Sequence, residues 1–187
     1  MRKTLYALFM ATVLAAPIAL AASAQSDNPM VGGAPMYRSK NIVENAVNSA
    51  DHTTLVAAVK AAGLVDTLSG KGPFTVFAPT NAAFDKLPAG TVQTLLMPEN
   101  KGMLTKVLTY HVVAGRYDSK RLMQLIKKGG GQARLTTVSG GTLIARMNGM
   151  NGISLTDEKG GTSNVTTANV YQSNGVIHVV DTVLMPQ

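Results

Sequence analysis

Apolar residues fall at helical spacing through the first half of the chain and switch to alternation in the second. Ile42, Val43, Ala46 and Val47 make one helical face. A second helix is expected after Asp51 as its N-cap, with Leu55, Val56, Val59 and Ala62 on one side and Gly63 as its stop. Residues 64–68 add a short helical turn before Gly70 and Gly72. Phe74 to Ala78 is a nearly continuous apolar run, the pattern of a strand covered on both faces. Thr80 is placed to cap a helix reaching Lys86, in which Phe84 and Leu87 lie three apart and point inward. Residues 91–97 and 102–110 predict two more helices, the second with Met103, Leu104, Val107 and Leu108 on its inner side. His111 to Val113 reads as a short strand closed by Gly115. Residues 119–128 predict an amphipathic helix with Leu122, Leu125 and Ile126 inward and lysines at the C-terminal end, where the helix dipole favours them.

Past Gly129, Gly130 and Gly131 the period becomes two. Residues 133–138, 142–147, 153–156, 165–170 and 176–185 predict strands, separated by Gly140-Gly141, Asn148-Gly149, Asn151-Gly152, Gly160-Gly161 and Asn174-Gly175, and Pro186 stops the last of them. Helices early and strands late argue an α+β fold, with room for one domain and no internal repeat.

Residues 1–24 have the form of a signal peptide: Arg2 and Lys3, an apolar stretch from Leu5 to Leu20, then Ala22-Ser23-Ala24. Cleavage near Ala24 predicts a secreted or periplasmic protein that meets the membrane only transiently. Residues 25–39, with two prolines and two glycines, predict a flexible leader, and residues 40–187 the single domain. There is no cysteine, so stability rests on core burial, which a domain of about 150 residues can supply. Loss of the signal lowers the formal charge from +7 by the two cations Arg2 and Lys3. The remaining basic residues are scattered, with short clusters at 116–121 and 127–128. No nucleic-acid motif or interleaved aromatic run accompanies them, which excludes nucleic acid as the expected partner. Weak attraction to an anionic surface is the sharper expectation.

Candidate chemistry is thin. G-x-S-x-G, H-E-x-x-H and phosphate-binding glycine loops are absent from the sequence, and the glycine triplet precedes a strand rather than a helix. His178 alternates with Val176 and Val180 on one strand face and is expected to be buried; Asp181 falls on the opposite face, so the two do not pair. His52, beside a helix start, is expected to be solvated. Met97, Met103, Met123, Met147 and Met150 are expected to fill gaps in the core. Neither a metal nor a cofactor is expected, nor catalysis.

Three blocks carry a family resemblance. Thr75-Val76-Phe77-Ala78-Pro79-Thr80-Asn81-Ala82-Ala83-Phe84 resembles the first signature of fasciclin-like domains. Leu108-Thr109-Tyr110-His111-Val112-Val113 is similar to their tyrosine-histidine block, and the run from Asn174-Gly175 through His178 and Asp181 to Pro186 to their closing motif. The resemblance implies a fasciclin-like β-sandwich wedge with helices packed along it. It implies a non-catalytic exported module for cell adhesion or matrix association, whose partner is a cell-surface or matrix protein or glycan. It also makes Leu108, Tyr110, His111, Val112 and Val113 the candidate adhesion motif. Thr75, Phe77, Ala78, Pro79, Thr80, Asn81, Phe84, Asn174, Gly175, His178 and Asp181 are then structural signature residues. The alternative is a carrier of a small apolar ligand, a pigment or lipid, to which the scarcity of aromatic residues gives little support. One departure bears on partners. Integrin-binding animal members carry Asp-Ile just before the closing block, where this chain has Asn169-Val170, and Arg-Gly-Asp is absent.

Overall fold

The computed structural model describes residues 28–187; the signal segment, its cleavage site and residues 25–27 of the expected leader lie outside the described residues. Seven strands form one sheet in the order β4-β3-β9-β8-β7-β6-β5. These are β3 (Phe74–Pro79), β4 (Val112–Ala114), β5 (Gln132–Thr136), β6 (Thr142–Asn148), β7 (Gly152–Thr156), β8 (Thr162–Gln172) and β9 (Gly175–Val180). All neighbours are antiparallel except β3 and β9, which run parallel with Phe77 opposite His178. A bridge between Val113 and Thr137, with the Val138 N–H donating to the Val112 carbonyl at 2.7 Å, returns the far end of the sheet to β4. The sheet thereby folds over on itself into a wedge.

Helices cover one side of it. They are α1 (Ile42–Ala46), α2 (Thr53–Ala62), α3 (Val65–Ser69), α4 (Asn81–Asp85), α5 (Thr91–Leu96), α6 (Lys101–Tyr110) and, against the other half, α7 (Ser119–Lys128). Their ends follow local chemistry. Asn41 and Glu44 form a capping box on α1, Thr80 accepts from Ala83 N to start α4, and Asp118 accepts from Arg121 N to start α7. Gly63 ends α2 at φ +71°, a left-handed angle that suits glycine.

Two cores result. One, under the helices, contains Leu55, Val59, Leu104, Leu108, Val76, Ala78 and Ile177; the other, inside the wedge, contains Phe77, Tyr110, Leu122, Ile126, Leu143, Leu155, Val180 and Leu184. Alternation along β3 sends Val76 and Ala78 to the first and Phe77 to the second. This explains the unbroken apolar run: β3 separates two interiors and has no wet face.

Several expectations are corrected. Part of the stretch read as a flexible leader forms a small hairpin, β1 (Met30–Val31) with β2 (Ala34–Pro35), and Met36 behind it is buried because it packs into the helical core. Asp51 does not cap α2: it lies in a 3-10 turn spanning Ala50–His52, and His52 occupies the cap position without a side-chain bond. His52 is buried rather than solvated, since that turn folds it inward and brings Nδ1 within 2.8 Å of Ser49 Oγ. Met97, Met103 and Met150 are exposed, on the outer side of short elements and at a turn tip, and fill no core gap. The last strand stops at Val180 instead of Met185. The Asp181 carboxylate takes the Asn164 N–H at 2.8 Å and Ser163 Oγ takes the Thr182 N–H at 3.1 Å, so side chains replace the backbone ladder.

Candidate functional site

The tyrosine-histidine block sits where α6 hands over to β4. Tyr110 is 0 % exposed: its hydroxyl donates to the Thr142 carbonyl at 2.8 Å and accepts from the Glu158 N–H at 3.1 Å. The ring lies so close to Gly141 that a Cβ there would come within 2.6 Å of it, so the position requires glycine. Burial, with Glu158 and Asp157 nearby, pushes the phenol up to about 12, outweighing the bond from the Glu158 backbone.

His111 is 3 % exposed and held at both nitrogens. Leu184 N–H lies 3.0 Å from Nε2, which must therefore accept; Nδ1 carries the proton and donates to the Val107 carbonyl at 2.8 Å. The imidazole thus ties the end of α6 to the C-terminal tail. Burial lowers its pKa to about 4, against the opposing pull of the Val107 carbonyl and Asp157. Leu108, Val112 and Val113 are buried as well. None of the five residues of the candidate adhesion motif presents its side chain on the surface, because the junction lies between the two cores.

The other signature residues are engaged inside the fold in the same way, mostly with backbone groups of neighbouring segments. Thr75 Oγ1 donates to the Gly115 carbonyl at 2.7 Å and accepts from Tyr117 N at 2.8 Å. Phe77 stacks on His178, ring centroids 5.7 Å apart, and Ala78 and Phe84 are core residues. Pro79 closes β3 and Thr80 starts α4. Asn81 accepts from Thr54 N and donates to the Ala50 carbonyl. Asn174 joins three segments: Oδ1 accepts from Ile42 N at 3.0 Å, while Nδ2 donates to the Leu68 and Gly70 carbonyls at 2.8 and 3.0 Å. A Cβ on Gly175 would meet the Phe74 carbonyl oxygen at 2.3 Å.

His178 is 0 % exposed and its Nε2–H donates to the Tyr117 carbonyl at 2.8 Å; Nδ1 has no hydrogen-bond partner. Burial lowers its pKa, opposed by the Tyr117 carbonyl and Asp118. Asp181 turns away from it to Asn164. Burial resists ionisation of that carboxyl, but bonds from Asn164 and Thr182 together with Lys86 prevail and lower its pKa. The ionisable groups of the three blocks therefore converge on no common cleft. Among the described residues no three His, Asp or Glu side chains are placed to hold a metal ion.

Some structurally decisive residues escaped the sequence reading. Asp157 is buried and accepts from Lys159 N, Gly161 N and Met185 N, which binds the tail to the β7–β8 turn. Asn45, also buried, pairs with the Tyr37 backbone in both directions and with Gln172. Asn169, at the position of the integrin-binding aspartate, adopts φ +63°; it accepts from Ser119 N and donates to Ser119 Oγ, fixing the start of α7. Asp157, beside the Gly160-Gly161 turn, carried a local signal for its role; Asn45 inside α1 and Asn169 inside β8 carried none.

Two features remain open to a ligand. An apolar cavity of ≈ 50 Å³ lies between α1, α2 and β3, lined by Met36, Ile42, Leu55, Val59 and Val76, with His52 at its wall. Small-molecule sites occupy about 300–1,000 Å³, so a pigment or lipid does not fit without opening the domain. The other is a surface of basic and tyrosine side chains. Arg38 lies over the Tyr171 ring at 4.7 Å, Lys40 over Tyr37 at 5.1 Å and Arg121 over Tyr117 at 5.3 Å. Arg116 Nη2 donates to the Gln172 and Ser173 carbonyls beside them.

With this geometry the comparisons with known proteins agree. The Fasciclin domain profile matches residues 50–186. Protein sll1483 of Synechocystis is 47% identical over 146 residues, covering 78% of this chain and 73% of that one. Immunogenic protein MPB70 of Mycobacterium bovis is 37% identical over 146 residues, 75% of this chain and 66% of its own length. Cell surface glycolipoprotein MPB83 of the same species is 33% identical over 197 residues, covering 94% and 81%. A solved FAS1 domain pair from the insect cell adhesion molecule Fasciclin I superposes with a TM-score of 0.69 at 20% identity; 78% of this chain matches 51% of that chain, about half its length. The order of the three blocks, the helix-covered wedge and these relatives lead to one conclusion: the chain belongs to the fasciclin domain family.

Proposed function

We propose that the protein is an exported, non-catalytic module that associates with the cell surface or surrounding matrix through its outer faces. The observation that carries this reading is the fate of the reactive side chains. Tyr110, His111, His178 and Asp181 are each engaged in internal hydrogen bonds, and both imidazoles of the signature blocks are held neutral by burial. A general acid or base needs a pKa near the working pH and reach to a substrate proton; these groups have neither. Fasciclin domains are generally non-catalytic, and a relative bears the name cell surface glycolipoprotein, which supports the same reading. The N-terminal signal pattern points to export, and among the described residues no helix is long and apolar enough to cross a membrane.

The test is genetic and physical together. Deleting the gene in the native host is expected to reduce aggregation or attachment, with recovery when the purified full chain is supplied outside the cells. Unchanged attachment in the deletion strain would end the proposal.

A further inference from the structure

We propose that the surface centred on Tyr171 is a docking site for acidic polysaccharide, whose carboxylate or sulfate groups meet a row of cations held in place by tyrosine rings. The inference rests on the surface-association reading above and names its partner class.

Three of the four tyrosines among the described residues lie in this cluster, each beneath a cation, while the fourth, Tyr110, is core. The cluster is assembled from three distant stretches of chain. The loop before α1 supplies Tyr37, Arg38 and Lys40; the segment entering α7 supplies Arg116, Tyr117 and Arg121; the end of β8 supplies Tyr171. Hydrogen bonds join them into one surface. Ser173 N donates to the Lys40 carbonyl at 2.9 Å, Arg116 donates to the Gln172 and Ser173 carbonyls, and the Tyr171 hydroxyl lies 3.4 Å from Asp118. Arg38 and Arg116 both act on the Tyr171 phenol electrostatically, an independent sign that they share its surroundings. A shallow groove of ≈ 570 Å³ beside them is lined by Lys71, Arg116, Ser173 and Asn174.

Arg38, Lys40, Lys71, Arg116 and Arg121 are all exposed. Asp118, the carboxylate within the cluster, already accepts from Arg121 N as the cap of α7. Cations resting on ring faces keep their remaining N–H groups outward and lose little further freedom on binding. That arrangement suits a ligand bearing anions at repeated intervals. It suits single-stranded nucleic acid poorly, because such sites leave aromatic faces open for bases to stack, and here a cation covers a face of each ring. The second basic cluster, Lys127, Lys128 and Arg134, has no tyrosine partner among the described residues and serves as an internal control.

The experiment measures binding of the full chain to heparin (sulfated) and to polygalacturonate (carboxylated) across a salt series. Two triple variants carry the same charge change: Arg38→Gln with Lys71→Gln and Arg121→Gln, and Lys127→Gln with Lys128→Gln and Arg134→Gln. None of the six side chains donates a hydrogen bond that holds the fold, and matching melting curves check that both variants are folded. Releasing counterions from three fewer contacts should lower the slope of log K against log salt by roughly two in the first variant, with little change in the second. Preference for one polymer identifies sulfate or carboxylate as the group recognised. Equal weakening in both variants would reduce the effect to net charge and overturn the site, as would equal displacement by single-stranded DNA or by vesicles of anionic phospholipid. Attachment of the first variant to host cells separates the two readings. If it attaches like wild type while wild type ignores both polymers, the polysaccharide site is wrong and surface association stands; if wild type binds neither cells nor polymers, both fail.

Discussion

Lowering the pH from 7 to 4 should cost the fold about 3 kcal/mol through His111 alone. In the folded chain its Nε2 accepts from Leu184 N–H and its pKa lies at about 4, while an exposed imidazole titrates near 6.5. A proton added to Nε2 would face that N–H inside the core, with only the Val107 carbonyl and the Asp157 charge to favour the cation. The sign follows from proton binding. Between the two pKa values the unfolded chain binds more protons, so stability is whole above about pH 6.5, falls as the pH drops toward 4, and loses nothing more from this group below that. A gap of about 2.5 units at ~1.4 kcal/mol each sets the magnitude. His178 and His52 are also lowered by burial and act in the same direction. Urea unfolding of wild type and His111→Gln at half-unit steps from pH 4 to 7.5 isolates the single group, because the other histidines and carboxylates cancel in the difference. The gap in stability between the two proteins should shrink by about 3 kcal/mol on acidification. A gap constant to within about 0.5 kcal/mol would show that His111 is not the buried neutral latch argued for above.

Other perturbations test other joints. Asn174→Ala removes the group that ties α1, the end of α3 and the β8–β9 turn together, and should cost about 3 kcal/mol in chemical denaturation, given roughly 1 kcal/mol per lost bond; Asn148→Ala, at the exposed end of β6 with one surface hydrogen bond to Asn164, should cost no more than about 1 kcal/mol. Tyr110→Phe leaves the Thr142 carbonyl and Glu158 N–H without their shared partner and should destabilise by about 2 kcal/mol, while polysaccharide binding measured on the folded variant stays at the wild-type level. Asn169→Val places a β-branched residue at φ +63° and deletes the bond to Ser119 N, an expected loss of about 2–3 kcal/mol, whereas Asn169→Asp keeps the acceptor near the start of α7 and should change stability by less than about 1 kcal/mol. A thermal melt that ranks valine equal to aspartate would contradict the role given to that side chain.

Much of the fold was legible because its signals are local. The period change after residue 131 separates helices from strands, and the caps Thr80 and Gly63 stand where the apolar pattern begins and ends. The burial of His178 followed from alternation with Val176 and Val180. The misses share one cause. The hairpin at 30–35 has too few residues for a period, so its place is set by Met36 packing into a core assembled from elsewhere. His52 has polar neighbours in sequence and apolar neighbours in space. The strand from Val176 was read through to Met185 because residues 181–185 keep an apolar character, yet the side chains of Asp181 and Ser163 end the ladder by capturing backbone donors of facing segments. The candidate adhesion motif was legible as a motif, but its exposure was not.

By itself the amino-acid sequence determined the family, the α+β class and the positions of most elements. Backbone repeats set which side chains share a face, and that relation needs only neighbours three, four or two residues away. Tertiary structure alone decided what each signature residue does. It turned Tyr110 and His111 inward to hold the tail and the β7–β8 turn, and it gathered Arg38, Arg116 and Tyr171 from three parts of the chain onto one surface. Such contacts depend on which strands become neighbours, and the parallel pairing of β3 with β9 joins residues about a hundred positions apart. No window along the chain contains that information, since it arises only when the two cores close together.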